Sequence, residues 1–205
     1  MSTAPSLTIR TIDTDFSKGR LRLEQEISLA DTAKLHGHLC DGLVVGFIGL
    51  REALYRLYPS TIIDRTNTRI VSKASPCFGD IAMYLTGGRY QFDSFYVDDA
   101  MDYAYIVQRM DTGLTYGVKL KPGIKPSIID EMGSAAIDKK LSPCELDHLK
   151  KLEDDFSEAL LCANPVEIFI VETLRNFKWE PDTTMRFIKT DVLNKDAEPC
   201  YPSIL

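Results

Sequence analysis

Two histidines, a cysteine, an aspartate and two glycines fall within the stretch Leu35-His36-Gly37-His38-Leu39-Cys40-Asp41-Gly42. Imidazole and thiolate are the ligands preferred by zinc-like ions, and thiolate is also the nucleophilic form of cysteine. On a helix, His36 and His38 would point about 200° apart. They can share a site only on extended or turning backbone, which Gly37 makes available, and the same holds for His38 and Cys40. A second thiol comes from Ser75-Pro76-Cys77-Phe78-Gly79-Asp80. Ser75 as N-cap and Pro76 as first helical residue start a helix there, placing Cys77 in its first turn. Cys40 stands at the head of another helix. Helix N-termini favour negative charge, so both thiols tend toward thiolate. His36, His38, Cys40 and Cys77 are therefore candidate metal ligands, as a Cys2His or a Cys2His2 set. With three protein ligands a fourth position stays open, as in catalytic zinc sites. Asp80, one turn beyond Cys77, is a candidate partner for a ligand or a general base.

Plainer readings compete. The histidine stretch could be a polar turn capping a buried helix, and Cys77 a small buried hydrophobe. His148 sits between charged neighbours and reads as a solvated surface residue. Cys144, Cys162 and Cys200 share no motif with a histidine and read as inert.

The element that must position these groups is a helix from about Gly42 to Leu57. Leu43, Phe47, Leu50, Leu54 and Leu57 form one apolar face, and Val44 and Ile48 make the first turns apolar nearly all round, so the helix is central. Gly42, Gly46, Gly49 and Ala53 fall together on another face. Glycine costs a helix about 1 kcal/mol relative to alanine, so the stripe implies a packing or access requirement. Before it, Ser28 caps a helix from Leu29 to about Leu35, preceded by an extended lead-in over residues 1–24 with one strand near Leu7–Ile12. After it come a strand at Thr68–Val71, the Ser75-capped helix ending at Gly87-Gly88, and a hairpin of Tyr103–Met110 with Leu114–Leu120. A linker follows, with a short helix near Ser134–Lys140. Capping patterns at Ser142 and Asn164 then open helices to about Cys162 and Asn176. The tail, 176–205, holds a candidate strand at Met185–Ile188. This order indicates an α+β fold in one domain spanning 1–205: a glycine-faced central helix on a small antiparallel sheet, with helices at the C-terminal end.

The chain has 205 residues, a net charge of -6 and 44% hydrophobic content. The acidic balance argues against nucleic-acid binding, which needs a basic footprint. No apolar run is long enough to span a membrane, and the N-terminus lacks signal-peptide character. A cytoplasmic protein is expected. Five scattered cysteines do not form a disulfide framework.

His36-Gly37-His38-Leu39-Cys40-Asp41-Gly42 before an apolar, glycine-containing helix resembles the His-Gly-His-x-Cys-Pro-Gly signature of the FmdE family, named for its association with formylmethanofuran dehydrogenase. Cys77-Phe78-Gly79-Asp80-Ile81-Ala82, followed by Leu85-Thr86-Gly87, is similar to a second stretch of that family, and the likeness extends over residues 25–175. It implies an α+β fold, a homodimer, and zinc or another divalent transition metal on His36, His38, Cys40 and Cys77. Several positions depart from the family pattern. Asp41 replaces the usual proline, Gly88 stands where a further cysteine is frequent, Met101-Asp102 replaces a glycine-lysine pair, and no Cys-x2-Cys is present.

The expected function is therefore metal binding, with a metal-dependent enzyme as one form of it. There the ion would act as a Lewis acid beside Cys40, with Asp80 as base, on an unidentified small molecule. Two alternatives remain. One is a non-catalytic accessory or carrier protein for a molybdenum or tungsten oxidoreductase. The other is a thiol redox protein using Cys40 and Cys77.

Overall fold

A computed structural model describes residues 7–181 and 196. The chain opens with β1 (Thr8–Thr14) and β2 (Leu21–Ser28), an antiparallel pair running from Thr8↔Ser28 to Thr14↔Leu21. The lead-in thus holds two strands rather than one. Residues 22–26 are all exposed, so Leu21–Glu26 lacks the half-buried alternation that marks a strand in sequence. Ser28 then caps α1 (Leu29–His36) in a full capping box with Asp31, and Gly37 ends it in the left-handed conformation, φ 104°. The central helix α2 runs over Asp41–Leu57.

Two short strands follow, β3 (Ile62–Asp64) and β4 (Thr68–Ser72), then α3 (Pro76–Thr86), a 3-10 turn at Tyr90–Phe92, and β5 (Phe95–Val97). The hairpin forms as β6 (Tyr105–Arg109) and β7 (Thr115–Leu120), pairing Tyr105 with Val118 and Gln108 with Thr115. The expected linker instead holds α4 (Ser127–Ile137), followed by α5 (Pro143–Cys162). Asn164 caps a helix as anticipated, but α6 covers only Pro165–Ile168 before β8 (Phe169–Thr173). The β-branched run Ile170-Val171 with Thr173 prefers a pleated strand, and the edge of β7 offers it a partner. The candidate strand at Met185–Ile188 lies outside the described residues.

The fold is α+β, with six helices and two small sheets ordered β2-β1-β3 and β5-β4-β6-β7-β8 among the described residues. Both sheets are mixed rather than purely antiparallel: β1 pairs with β3, and β4 with β5, in parallel. No helix among the described residues is long and apolar enough to cross a membrane.

The core forms around α2. Leu43, Val44, Phe47, Leu50, Ala53 and Leu54 are fully buried, and each large apolar side chain contributes roughly 1.5–3 kcal/mol on burial. The small-residue stripe is where the neighbours close in. A Cβ at Gly42 would lie 2.8 Å from Cys77 Sγ, one at Gly46 2.6 Å from the Tyr105 hydroxyl, and one at Gly49 2.8 Å from the Phe169 ring. Absent side chains thus let α3, β6 and β8 approach the helix backbone, and the first of these contacts brings the second cysteine to the first.

Candidate metal centre

The His36–Cys40 stretch is the connection between α1 and α2. His36 is the last residue of α1, Gly37 turns the chain, and Cys40 is the N-cap of α2 in extended conformation. This is the non-helical His-x-His-x-Cys geometry the spacing required. The side-chain ligand atoms of His36, His38 and Cys40 all lie within 4.8 Å of one another. The His36 and His38 rings are 4.7 Å apart at their centroids. His36 is part-buried and His38 is exposed, so the cluster meets solvent on the His38 side.

Cys77 enters from α3. Ser75 caps that helix by accepting from the Phe78 N–H, with Pro76 in the first turn, and this fixes Cys77 facing Gly42. Its sulfur lies 3.4 Å from Cys40 Sγ and 3.7 Å from His36 Nε2. Bonds of about 2.3 Å to sulfur and about 2.0 Å to nitrogen in a tetrahedral zinc site would set ligand atoms about 3.5–3.8 Å apart. These two distances fall close to that edge length, and a donor set of imidazoles and thiols suits a zinc-class ion; Cys77 nevertheless stands outside the His36–His38–Cys40 group, being drawn up to Cys40 and His36 but not gathered with His38. The sulfurs are far from the bonded distance of about 2.05 Å, and both cysteines are free.

Asp80, on the same helix as Cys77, accepts a hydrogen bond from His36 Nδ1 at 2.8 Å. With that proton committed to Asp80, the lone pair of Nε2 is left facing the thiols. The two thiols titrate as a unit. The Cys40 thiol is drawn down to about 6, chiefly by the hydrogen bond from Cys77; the Leu43 backbone and the nearby His36 imidazole help, while burial and Asp41 oppose. Cys77 is pushed up, because its proton serves the Cys40 sulfur and burial adds to the cost of a second charge.

Two residues near the site carried no sequence signal. Lys125, in the expected linker, places Nζ 3.1 Å from Asp41 Oδ2 and 2.8 Å from Asp130 Oδ1. Asp41 is buried, and its other carboxylate oxygen accepts the Gly42 N–H. A buried carboxylate at Asp41 calls for a nearby cation, but nothing in the sequence indicates which lysine. Tyr105 is wholly buried beside Gly46 and Phe78, and its hydroxyl has no hydrogen-bond partner among the described residues. Its place on an inward-facing strand position reads as ordinary core. Elsewhere, Cys144, Cys162 and His148 are exposed, and Cys200 lies outside the described residues.

An α+β frame with a His/Cys cluster at the mouth of a buried helix defines a candidate metal-binding protein. Residues 35–170 match the family described as FmdE, molybdenum formylmethanofuran dehydrogenase operon. That stretch is well over half of the 205 residues, and the chain belongs to this family. It includes His36, His38, Cys40, Cys77 and Asp80. No curated protein matches the chain.

Proposed function

We propose that the chain is a metal-binding protein of the FmdE type in which His36, His38, Cys40 and Cys77 hold one zinc-like divalent ion. The observation that carries this reading is the spacing of the two sulfurs and His36 Nε2, at 3.4 and 3.7 Å, beside the His36–His38–Cys40 cluster. When bound, such an ion supplies Lewis acidity and lowers the pKa of a coordinated water. Of the two roles open to Asp80, the 2.8 Å hydrogen bond supports the positioning one: it holds the His36 tautomer and ring orientation. The exposed His38 side is where a small molecule would reach the ion if the protein acts as an enzyme. A homodimer belongs to this reading as what the resemblance to the family implies, with Leu39, 55% exposed beside the cluster, as a place for a second copy to pack.

Elemental analysis of the wild type beside Cys40→Ser and Cys77→Ser tests the reading. One equivalent of metal per chain in the wild type, lost in both variants, is expected. A metal-free wild type unchanged by either substitution would sink it.

A thiol redox role is favoured by one observation, the 3.4 Å approach of two free thiols of which Cys40 ionises near 6. It requires a protein isolated without metal that loses two titratable thiols on mild oxidation. The operon named in the family description supports the accessory or carrier reading, which requires ready release of metal to a chelator through the His38 side.

A further inference from the structure

We propose that the cleft between the end of α1, the second half of α3 and the 88–91 segment binds a small organic oxyanion, a phosphate or carboxylate head carried on an apolar body. The cleft has a volume of about 410 Å³, within the range of small-ligand sites, roughly 300–1,000 Å³. It shares no residue with the His/Cys cluster.

Arg65 is the most deeply set cation of this cleft. It follows β3, and its side chain is only 16% exposed. Its Nε is buried with no hydrogen-bond partner among the described residues. Its one charge partner among them is Asp13, at the long distance of 3.6 Å. A guanidinium offers five N–H donors in a fixed fork and does not lose its charge, and buried donors in folded proteins are ordinarily matched. The turn beneath it is shaped to hold it. Gly87 has φ +68°, and a Cβ there would stand 3.2 Å from Arg65 Nε.

Arg89 lines the same cleft and has no ion pair among the described residues; its guanidinium carbon lies 5.8 Å from the Phe92 ring centroid. Burial lowers the Arg65 pKa, Asp13 opposes this, and the Arg89 charge adds to the lowering. Two cations line one cavity with a single carboxylate, Asp13, at long range from one of them, a local excess of positive charge in a chain of net charge -6. An oxyanion between them would relieve the repulsion and accept from the idle donors, in the bidentate manner that arginine suits. Leu35, Met83, Tyr84 and Tyr90 form an apolar and aromatic part of the wall for the body of the ligand, which Gly88 and the polar Gln91 complete.

Calorimetric titration of the full chain with phenyl phosphate, benzoate and inorganic phosphate tests this, using wild type, Arg89→Gln and Arg65→Lys. Arg89 is exposed and can be changed without disturbing the core; the lysine at 65 keeps the charge and loses the fork. Saturable binding of phenyl phosphate or benzoate to the wild type is expected, weakened about tenfold or more by at least one substitution, with inorganic phosphate weaker than phenyl phosphate. Phenyl phosphate without benzoate assigns a phosphate head; both together assign an oxyanion of either kind. Absence of saturable binding by both organic probes, or wild-type affinity retained in both variants, overturns the proposal. Metal content measured on the same samples separates this outcome from the fate of the metal reading.

Discussion

His36 reaches Asp80 through Nδ1, at 2.8 Å, and Cys77 through Nε2, at 3.7 Å. Asp80 and Cys77 sit three residues apart on α3, so one helix supplies both a thiol and the acceptor that aims the imidazole at it. Asp80→Asn keeps the shape and removes the charge. Metal affinity, measured by competition with a chromogenic chelator, is expected to fall about 10–100-fold. The melting temperature of the metal-free protein should hardly move, because the Asp80 side chain is 31% exposed. Unchanged affinity would remove Asp80 from the site.

The paired thiols make a pH prediction for the metal-free protein. Thiolate absorbance should rise with a midpoint near 6 for one cysteine. Cys77→Ala, which deletes the donor to Cys40, should move that midpoint up toward the ordinary thiol range. The sign for stability follows. A thiol whose pKa is depressed on folding stabilises the fold fully above its unfolded pKa, and that gain is lost as pH falls through about 6. Cys77, raised on folding, reverses the trend at alkaline pH. Stability of the stripped protein should therefore climb from pH 6 toward the ordinary thiol range and decline beyond it. A thermal-denaturation series that is flat over this window in the wild type and in Cys40→Ser alike would contradict the thiol pairing.

The glycines of α2 and α3 should differ in sign. Gly49→Ala drives a methyl into the Phe169 ring and is expected to cost about 1–3 kcal/mol. Gly42→Ala presses on Cys77 Sγ and should also lower metal retention. Gly79, within α3, has nothing within 4 Å of an added Cβ, so Gly79→Ala should stabilise by roughly 0.5–1 kcal/mol through helix propensity. Chemical denaturation of the three variants decides the matter.

The same glycines show how far local sequence reaches. Caps at Ser28, Ser75, Ser142 and Asn164 are legible because each pairs a side-chain acceptor with a helix start a few residues away. The small stripe on α2 announces close approach, though not by what. Cys77, Tyr105 and Phe169 are brought there by chain folding over distances that periodicity does not encode. For the same reason β8 reads as helix in the sequence: Phe169–Thr173 becomes a strand because β7 presents a free edge. The His/Cys cluster is legible because three of its members fall within five residues of sequence, whereas Lys125 and the Arg65–Arg89 cleft depend wholly on tertiary contacts.

Asp41, where the chain departs from the family's proline, is the first residue of α2. Proline is well suited to that position, having a fixed φ and no N–H to lose. The aspartate instead brings a buried carboxylate that Lys125 faces at 3.1 Å and that opposes ionisation of Cys40. Lys125→Ala leaves this carboxylate without its cation and should cost about 1–3 kcal/mol. Asp41→Pro should fold normally and lower the Cys40 thiol further, since the opposing charge is gone. The double variant Asp41→Pro/Lys125→Ala should recover most of the loss seen in Lys125→Ala, because neither unpaired group remains. Additive losses in that cycle would mean that Asp41 and Lys125 do not act as a pair, and that the aspartate beside Cys40 is balanced in some other way.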